Sequence, residues 1–367
     1  MPTSNLDAEM SEYDEARRVA NICNACRYCE GFCDVFPTME RLIDFDKSEI
    51  KFLANVCHDC RECYHACQFA PPHEYAVNIP SVMSKVRVSA YAASDDRLGQ
   101  LIKLFSKTIV CTMIYPLIFI LLGYLSQKDL FWESYDLASG NFYQLMPHEN
   151  MVVIFGTLGI AVLLIVAART KSFHNEINKK KIISTSADIY QSLKDAVSLK
   201  NLKSSGQGCT YPKSKQSRIR SNAHHMMAWG FMLCFASTSI GTIYHYFLNL
   251  EAPYMYTTLP VILGSSGGVL LLLGCSILLI LKLYQDRAPT DSNHDRSSIK
   301  FLLLLFLIAF TGLALLILRE TVWMGFLLYW HLGLVFSFFL VIPYEKMMHV
   351  LFRVVALINA KKVTNES

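Results

Sequence analysis

Eight of the twelve cysteines stand in two runs of one spacing. The first is Cys23-Asn-Ala-Cys26-Arg-Tyr-Cys29-Glu-Gly-Phe-Cys33, and the second is Cys57-His-Asp-Cys60-Arg-Glu-Cys63-Tyr-His-Ala-Cys67. Both read C-x2-C-x2-C-x3-C, the bacterial spacing for 4Fe–4S clusters. Three thiolates on one short turn can each reach a corner of a cube, and the fourth cysteine, a helical turn further on, serves the other cluster. Cys23, Cys26, Cys29 and Cys67 are therefore assigned to one cluster, and Cys57, Cys60, Cys63 and Cys33 to a second. The usual proline follows neither fourth cysteine, since Asp34 and Gln68 stand there, although Pro37 and Pro71-Pro72 lie close. Structural zinc prefers two separated cysteine or histidine pairs around one ion and fits poorly. With all-cysteine sets complete, His58, His65 and His73 read as packing or solvated side chains. Cys111, Cys209, Cys234 and Cys275 match no ligand spacing. Clusters of this kind store and pass single electrons.

Histidines supply the second chemistry. His224, His225, His245 and His331 fall in or beside apolar runs, and His349 follows the last of them. Ionisable residues in apolar spans are functional candidates, and paired imidazoles in facing helices are axial ligands for b-type haem. At 1.5 Å per residue, His224 or His225 lies roughly 30 Å from His245, and His331 roughly 27 Å from His349. The depths match if the two helices run antiparallel, pairing His224 or His225 with His349 and His245 with His331. Helical phase mildly favours His224 over His225. One or two haems b are expected, the competing reading being histidines that merely sit near lipid head groups. Gly230, Ser237, Ser239, Gly241, Gly325 and Gly333 either leave room for a macrocycle or serve ordinary helix packing. Arg353 is a candidate partner for a propionate.

The elements that must hold these groups follow from composition. Of 367 residues, 53% are hydrophobic and only 17% charged, below the roughly 25% usual for soluble chains. Residues 1–107 carry 12 Lys or Arg against 16 Asp or Glu, and the remainder 22 against 14. That division marks an acidic, cysteine-rich head, 1–107, and a basic, apolar body, 108–367. Six apolar runs in the body have the length of membrane spans: 108–125, 151–168, 226–248, 259–281, 301–318 and 322–342. The fold class is thus all-α, a helical ferredoxin-like di-cluster head followed by a six-helix transmembrane haem-binding bundle. The insert at 169–225 holds twelve Lys or Arg, including Lys179, Lys180 and Lys181, while the loops on the opposite side hold almost none. By the positive-inside bias both termini and the head are cytoplasmic, the protein is a multi-pass resident of the inner membrane, and the basic run does not imply nucleic acid. A reducing compartment also argues against disulfides. The polar start, 1–51, holds no signal-peptide apolar region. A helical stretch near 187–202 is expected to brace the head.

The chain resembles the tricarballylate-utilisation protein B family. The resemblance rests on both cysteine runs and on Gln68-Phe-Ala-Pro-Pro-His-Glu-Tyr-Ala-Val-Asn-Ile-Pro80, then Gly208-Cys-Thr-Tyr-Pro212, His224-His225, the stretch 230–238, Tyr244-His245, Pro343-Tyr344 and His349. It implies an electron-transfer subunit that reoxidises a partner FAD-dependent dehydrogenase, which converts tricarballylate to cis-aconitate, and delivers electrons through two 4Fe–4S clusters and haem to membrane quinone. The chain has no glycine-rich dinucleotide fingerprint of its own, so the flavin belongs to the partner, for which the acidic head is a docking face. Two alternatives remain. One is a heterodisulfide-reductase-like membrane redox module; the other is a transporter or sensor with a redox-sensitive head, for which glycines at 264–268 would mark a broken helix.

Overall fold

The computed structural model describes residues 4–92, 110–134, 142–178, 184–204 and 206–365, whose regular elements are helices apart from one short strand pair. The head contains α1 (Ser4–Cys26), α2 (Val35–Glu40), α3 (Lys47–Val56), α4 (Glu62–His65) and α5 (Ile79–Ala92). A capping box starts α3: Asp46 accepts from the backbone N–H of Ser48 at 2.9 Å and Glu49 at 3.0 Å, and the Glu49 carboxylate accepts from Asp46 N–H at 3.3 Å. This satisfies donors that a helix start otherwise leaves orphaned and fixes the helix that delivers Cys57. Ala16, Val19 and Ala20 on α1, Ile50, Leu53 and Ala54 on α3, and Val82, Met83 and Val86 on α5 share one buried core. Their spacing is that of one apolar helix face.

The body contains α6 (Tyr115–Ser126), α7 (His148–Ile177), α8 (Ser186–Val197), α9 (Ile219–Leu248), α10 (Leu259–Tyr284), α11 (Ser292–Ile317), α12 (Met324–Val341) and α13 (His349–Asn365). Five of these, α7 and α9 to α12, are long and apolar enough to cross a membrane. On α7, Ile160, Leu163 and Leu164 are 63, 69 and 67% exposed, an outward apolar face that water would not tolerate and lipid would. The first expected span begins outside the described residues. Its described part, Val110–Ser126, is a shorter apolar helix that lies on α12, where a Cβ added to Gly333 would stand 2.5 Å from Pro116 Cα. The division at 107 and 108 and the run Lys179 to Lys181 also lie outside the described residues.

Small residues make the helices touch. A Cβ on Gly230 of α9 would meet Leu271 N of α10 at 2.5 Å and Gly267 O at 2.7 Å, and one on Gly325 would meet Phe131 O at 2.5 Å. Ser237 donates to Pro260 O at 2.6 Å, and Ser239 to Phe235 O within its own helix at 2.9 Å. Of the two readings given to these residues, helix packing accounts for Gly230, Gly325, Gly333 and Ser237. Helix α10 runs unbroken through 264–268, so those glycines mark contacts and not a break.

Two elements tie head to body. Helix α13 inserts Ala356, Leu357 and Ala360 into the head core. From the insert, Asn201 Nδ2 donates to Asp34 Oδ2 at 2.9 Å, and Lys200 lies 3.2 Å from the same carboxylate, next to Cys33. Lys361 of α13 stands 3.4 Å from Asp195 of α8. A further bridge joins Lys51 on α3 to Glu176 on α7 at 2.7 Å. The expected helix near 187–202 is therefore present as α8 and the turn after it, and it braces the head through α13.

Candidate functional site

The eight cysteines gather as two crossed groups. Cys23, Cys26, Cys29 and Cys67 line one pocket with Ile22, Phe36, Phe69, Val77 and Ile79, and Cys63 of the second run lines it too. Burial, then the neighbouring thiolates of Cys67, Cys29 and Cys26, pushes Cys23 up to about 12, and burial does the same to Cys29. Cys33 lies against the other group: burial, then Cys60 and Cys57, holds its thiol well above the ordinary range. Cys63 is raised in the same way by burial, Cys60, Cys33 and Cys57. Thiols so raised stay protonated unless a cation offsets the charge of the thiolate. Among the described residues no three His, Cys, Asp or Glu converge as a single bound ion requires. All twelve cysteines are free of disulfides. The donor sets fit iron–sulfur clusters.

Tight backbone turns present these thiols. Arg27, Asp59 and Arg61 have φ of 55°, 56° and 68°, a left-handed region that side chains other than glycine rarely enter. Around the second group the turn is held from every side. Arg87 Nη1 donates to Ala54 O at 2.9 Å and Cys57 O at 3.0 Å, and Arg353 Nη2 donates to Cys57 O at 2.9 Å. Hydrogen bonds from charged donors contribute about 1.5–3 kcal/mol each. Thr210 donates to Cys60 O through its backbone N at 3.1 Å and through Oγ1 at 3.2 Å. Tyr211 is sandwiched by Arg61 and Arg220, each 4.5 Å from its ring centre. Asp59 lies 3.6 Å from Arg61 and 3.5 Å from Arg220. Burial opposes its charge, but Arg61, Arg220 and Arg87 hold its carboxyl below the usual range.

The inner histidine pair lies at the same end of the bundle. The His224 and His349 rings are 6.2 Å apart, centre to centre, and cross at 85°. Two imidazoles on opposite sides of one metal, each bonded at about 2 Å, have ring centres about 6 Å apart. Nδ1 of His349 donates to Lys346 O, which leaves the lone pair on Nε2, the arrangement seen in metal-bound histidines. Burial and Arg353 hold His349 well below the ordinary imidazole range, hence neutral as a ligand must be. His224 Nδ1 is buried with no hydrogen-bond partner. It is His224, rather than its neighbour His225, whose ring faces His349. These residues fit a haem.

The expected helical continuity from His331 to His349 is absent. Helix α12 stops at Val341, and His349 opens a new helix after a turn, because Pro343 has no N–H to continue the first. At the far end His245 stacks on His148 at 3.8 Å, while His331 Nδ1 meets Thr311 Oγ1 at 3.0 Å. Among the described residues no ring contact joins His245 to His331. Arg353, expected near a propionate, instead donates to the Cys57 loop. His148 was missed by the sequence reading, as was Arg87. The signal for His148 was an ionisable residue at the edge of the second apolar run; Arg87 had none, lying in an ordinary helix.

Two family models match the chain: the Citrate utilization protein B Fer4-like domain over residues 16–93, and Citrate utilization protein B over residues 100–366. The first match contains all eight motif cysteines. The Citrate utilization protein B of Escherichia coli is 39% identical over 348 residues, 94% of this chain and 91% of that protein. No solved structure matches. These names carry citrate where the sequence resemblance carried tricarballylate. With head and body both matched, the chain belongs to the citrate utilization protein B family.

Proposed function

We propose that this protein is the membrane electron-transfer subunit of a tricarboxylate-utilising oxidoreductase. A partner FAD-dependent dehydrogenase oxidises tricarballylate to cis-aconitate, or a citrate-like acid in the same way, and membrane quinone receives the electrons. Bound 4Fe–4S clusters and a haem b would supply the one-electron carriers needed between a two-electron flavin and quinone. Cys23, Cys26, Cys29 and Cys67 would hold one cluster, Cys57, Cys60, Cys63 and Cys33 the other, and His224 and His349 the haem.

The observation that carries this reading is contiguity. The second cysteine run and the His224–His349 pair share a hydrogen-bonded frame, in which Arg353, four residues after His349, donates to Cys57 O, and cysteines of both runs pack against one head core. The reading counts one haem, because His224 and His349 face each other, whereas among the described residues no ring contact joins His331 to His245, which stacks on His148. The run 108–125 is proposed as the first of six spans, with the head and both termini on the cytoplasmic side of the inner membrane, in keeping with the basic insert.

A dithionite-reduced minus air-oxidised spectrum of the detergent-purified protein, with haem, iron and sulfide counted per chain, tests the reading. One b-type haem and eight irons are expected. Protein that keeps its iron but binds no haem would defeat the relay, and a thiol acceptor reduced in place of quinone would favour the heterodisulfide-reductase-like alternative.

A further inference from the structure

The two cysteine runs have the same spacing but opposite surroundings. The first group faces outward, beside Tyr28, which is 67% exposed, and the exposed Arg27 and Glu30. Cys57 and Cys60 of the second group are each 7% exposed. Four guanidiniums, those of Arg61, Arg87, Arg220 and Arg353, surround that second turn. Of these, Arg61 and Arg220 are paired with Asp59. Arg87 is 2% exposed, and neither it nor Arg353 forms an ion pair among the described residues. A buried cation without an anion is costly. What both side chains address is the Cys57 carbonyl, at 3.0 and 2.9 Å, which places two positive charges beside that cysteine group; the Asp59 carboxylate, which also feels Arg87, offsets them in part.

Position adds a second constraint. Arg353 lies four residues after His349 at the start of α13, about one turn or 6 Å along the axis. Arg87 reaches the same carbonyl from α5, in the head core. One oxygen thus receives a donor from the helix that carries His349 and a donor from the helix that anchors the head.

We infer that Arg87 and Arg353 are positioning residues that make the second cysteine group the exit side of the head: they hold its loop against His349 and raise its reduction potential above that of the first group. The inference rests on the proposed cluster and haem binding. Reduction adds one electron to the group, and no bond forms or breaks. Positive charge and hydrogen bonds in a buried site favour the reduced state, and the low local dielectric enlarges the effect. With both clusters bound, the exposed first group would be the entry side and the second group, held beside His349, the exit side.

The test is a potentiometric titration of the full-length, detergent-purified holoprotein followed by electron paramagnetic resonance. Wild type, Arg353→Gln, Arg87→Gln and Arg353→Lys are compared, with iron and haem counted in each. Cys26→Ser, which perturbs only the first group, identifies which signal belongs to which cluster. The expected result is two separate midpoints in wild type, the second group's being higher. Each glutamine variant should lower that midpoint alone, and Arg353→Lys should restore most of it because the charge remains. Haem reduction after mixing with reductant should slow in Arg353→Gln. Equal midpoints in wild type, equal shifts of both clusters, or no shift in variants with wild-type iron would each overturn the inference. If Arg353→Gln does not fold, Arg87→Gln decides alone. Wild-type protein without iron would instead defeat the function proposed above, a distinguishable failure.

Discussion

The two ends of the helical bundle carry histidines at comparable depths and use them differently. At the head end, His224 and His349 face each other 6.2 Å apart, and the Lys346 carbonyl fixes the tautomer of His349. At the far end, His245 is stacked on His148 at 3.8 Å and His331 is hydrogen-bonded to Thr311. Aromatic rings crowd that end: Trp132 packs edge-on against Trp323 at 5.9 Å and stacks on Phe326 at 6.4 Å, in the manner of an interfacial belt. Depth along a helix, then, qualifies a histidine as a ligand without making it one. A second ring must stand across from it at the separation a shared metal needs: His224 and His349 are 6.2 Å apart, whereas His148 and His245, stacked at 3.8 Å, are too close.

The comparison breaks first at its strongest point. His349→Ala and His224→Ala should each abolish haem binding while leaving eight irons per chain, read from the pyridine haemochrome and an iron assay. Full haem in either variant would dissolve the distinction between the ends. A smaller effect is expected at the helix contact that sets the rotation of α9. Gly230→Leu drives a side chain into the α10 backbone and should cost about 1–3 kcal/mol as overpacking does, seen as a lower melting temperature and weaker haem retention. The far-end counterpart, Gly241→Ala, meets only Tyr254 at 3.8 Å. It should stabilise by up to about 1 kcal/mol, the gain of alanine over glycine inside a helix, so a loss as large as that of Gly230→Leu would show that the two ends are equally tight. The least change belongs to His245→Phe and His331→Leu, which should retain wild-type haem. A drop to half in either would revive the outer pair and a second haem.

Much of this was legible in the residues because it is local. The eight cysteines announce themselves by spacing within each run of eleven residues, and their proposed crossing between groups rests on the length of one helical turn. Five helices long and apolar enough to cross a membrane follow from continuous apolar runs. The choice of His224 over His225 came from helical phase, a property of one helix. By contrast, the argument that carried His331 and His349 on one face failed at Pro343, where the chain abandons its helix, and His349 reaches His224 by starting another. Arg87 and Arg353 were invisible as partners of Cys57, for they act across sequence separations of 30 and 296 residues. Nor does any periodicity reveal that Ala356, Leu357 and Ala360 belong to the head core.

The amino-acid sequence by itself determined which groups have the spacing of metal ligands and that an apolar helical body follows the cysteine-rich head, since ligand spacing and hydrophobic length are short-range properties of the chain. Only the tertiary structure decided which imidazoles face one another and which cysteine group sits among the arginines. Those outcomes depend on the rotation and offset of whole helices, set where Gly230 meets the α10 backbone and where α13 enters the head. Such contacts are sums over distant segments, and no single segment encodes them.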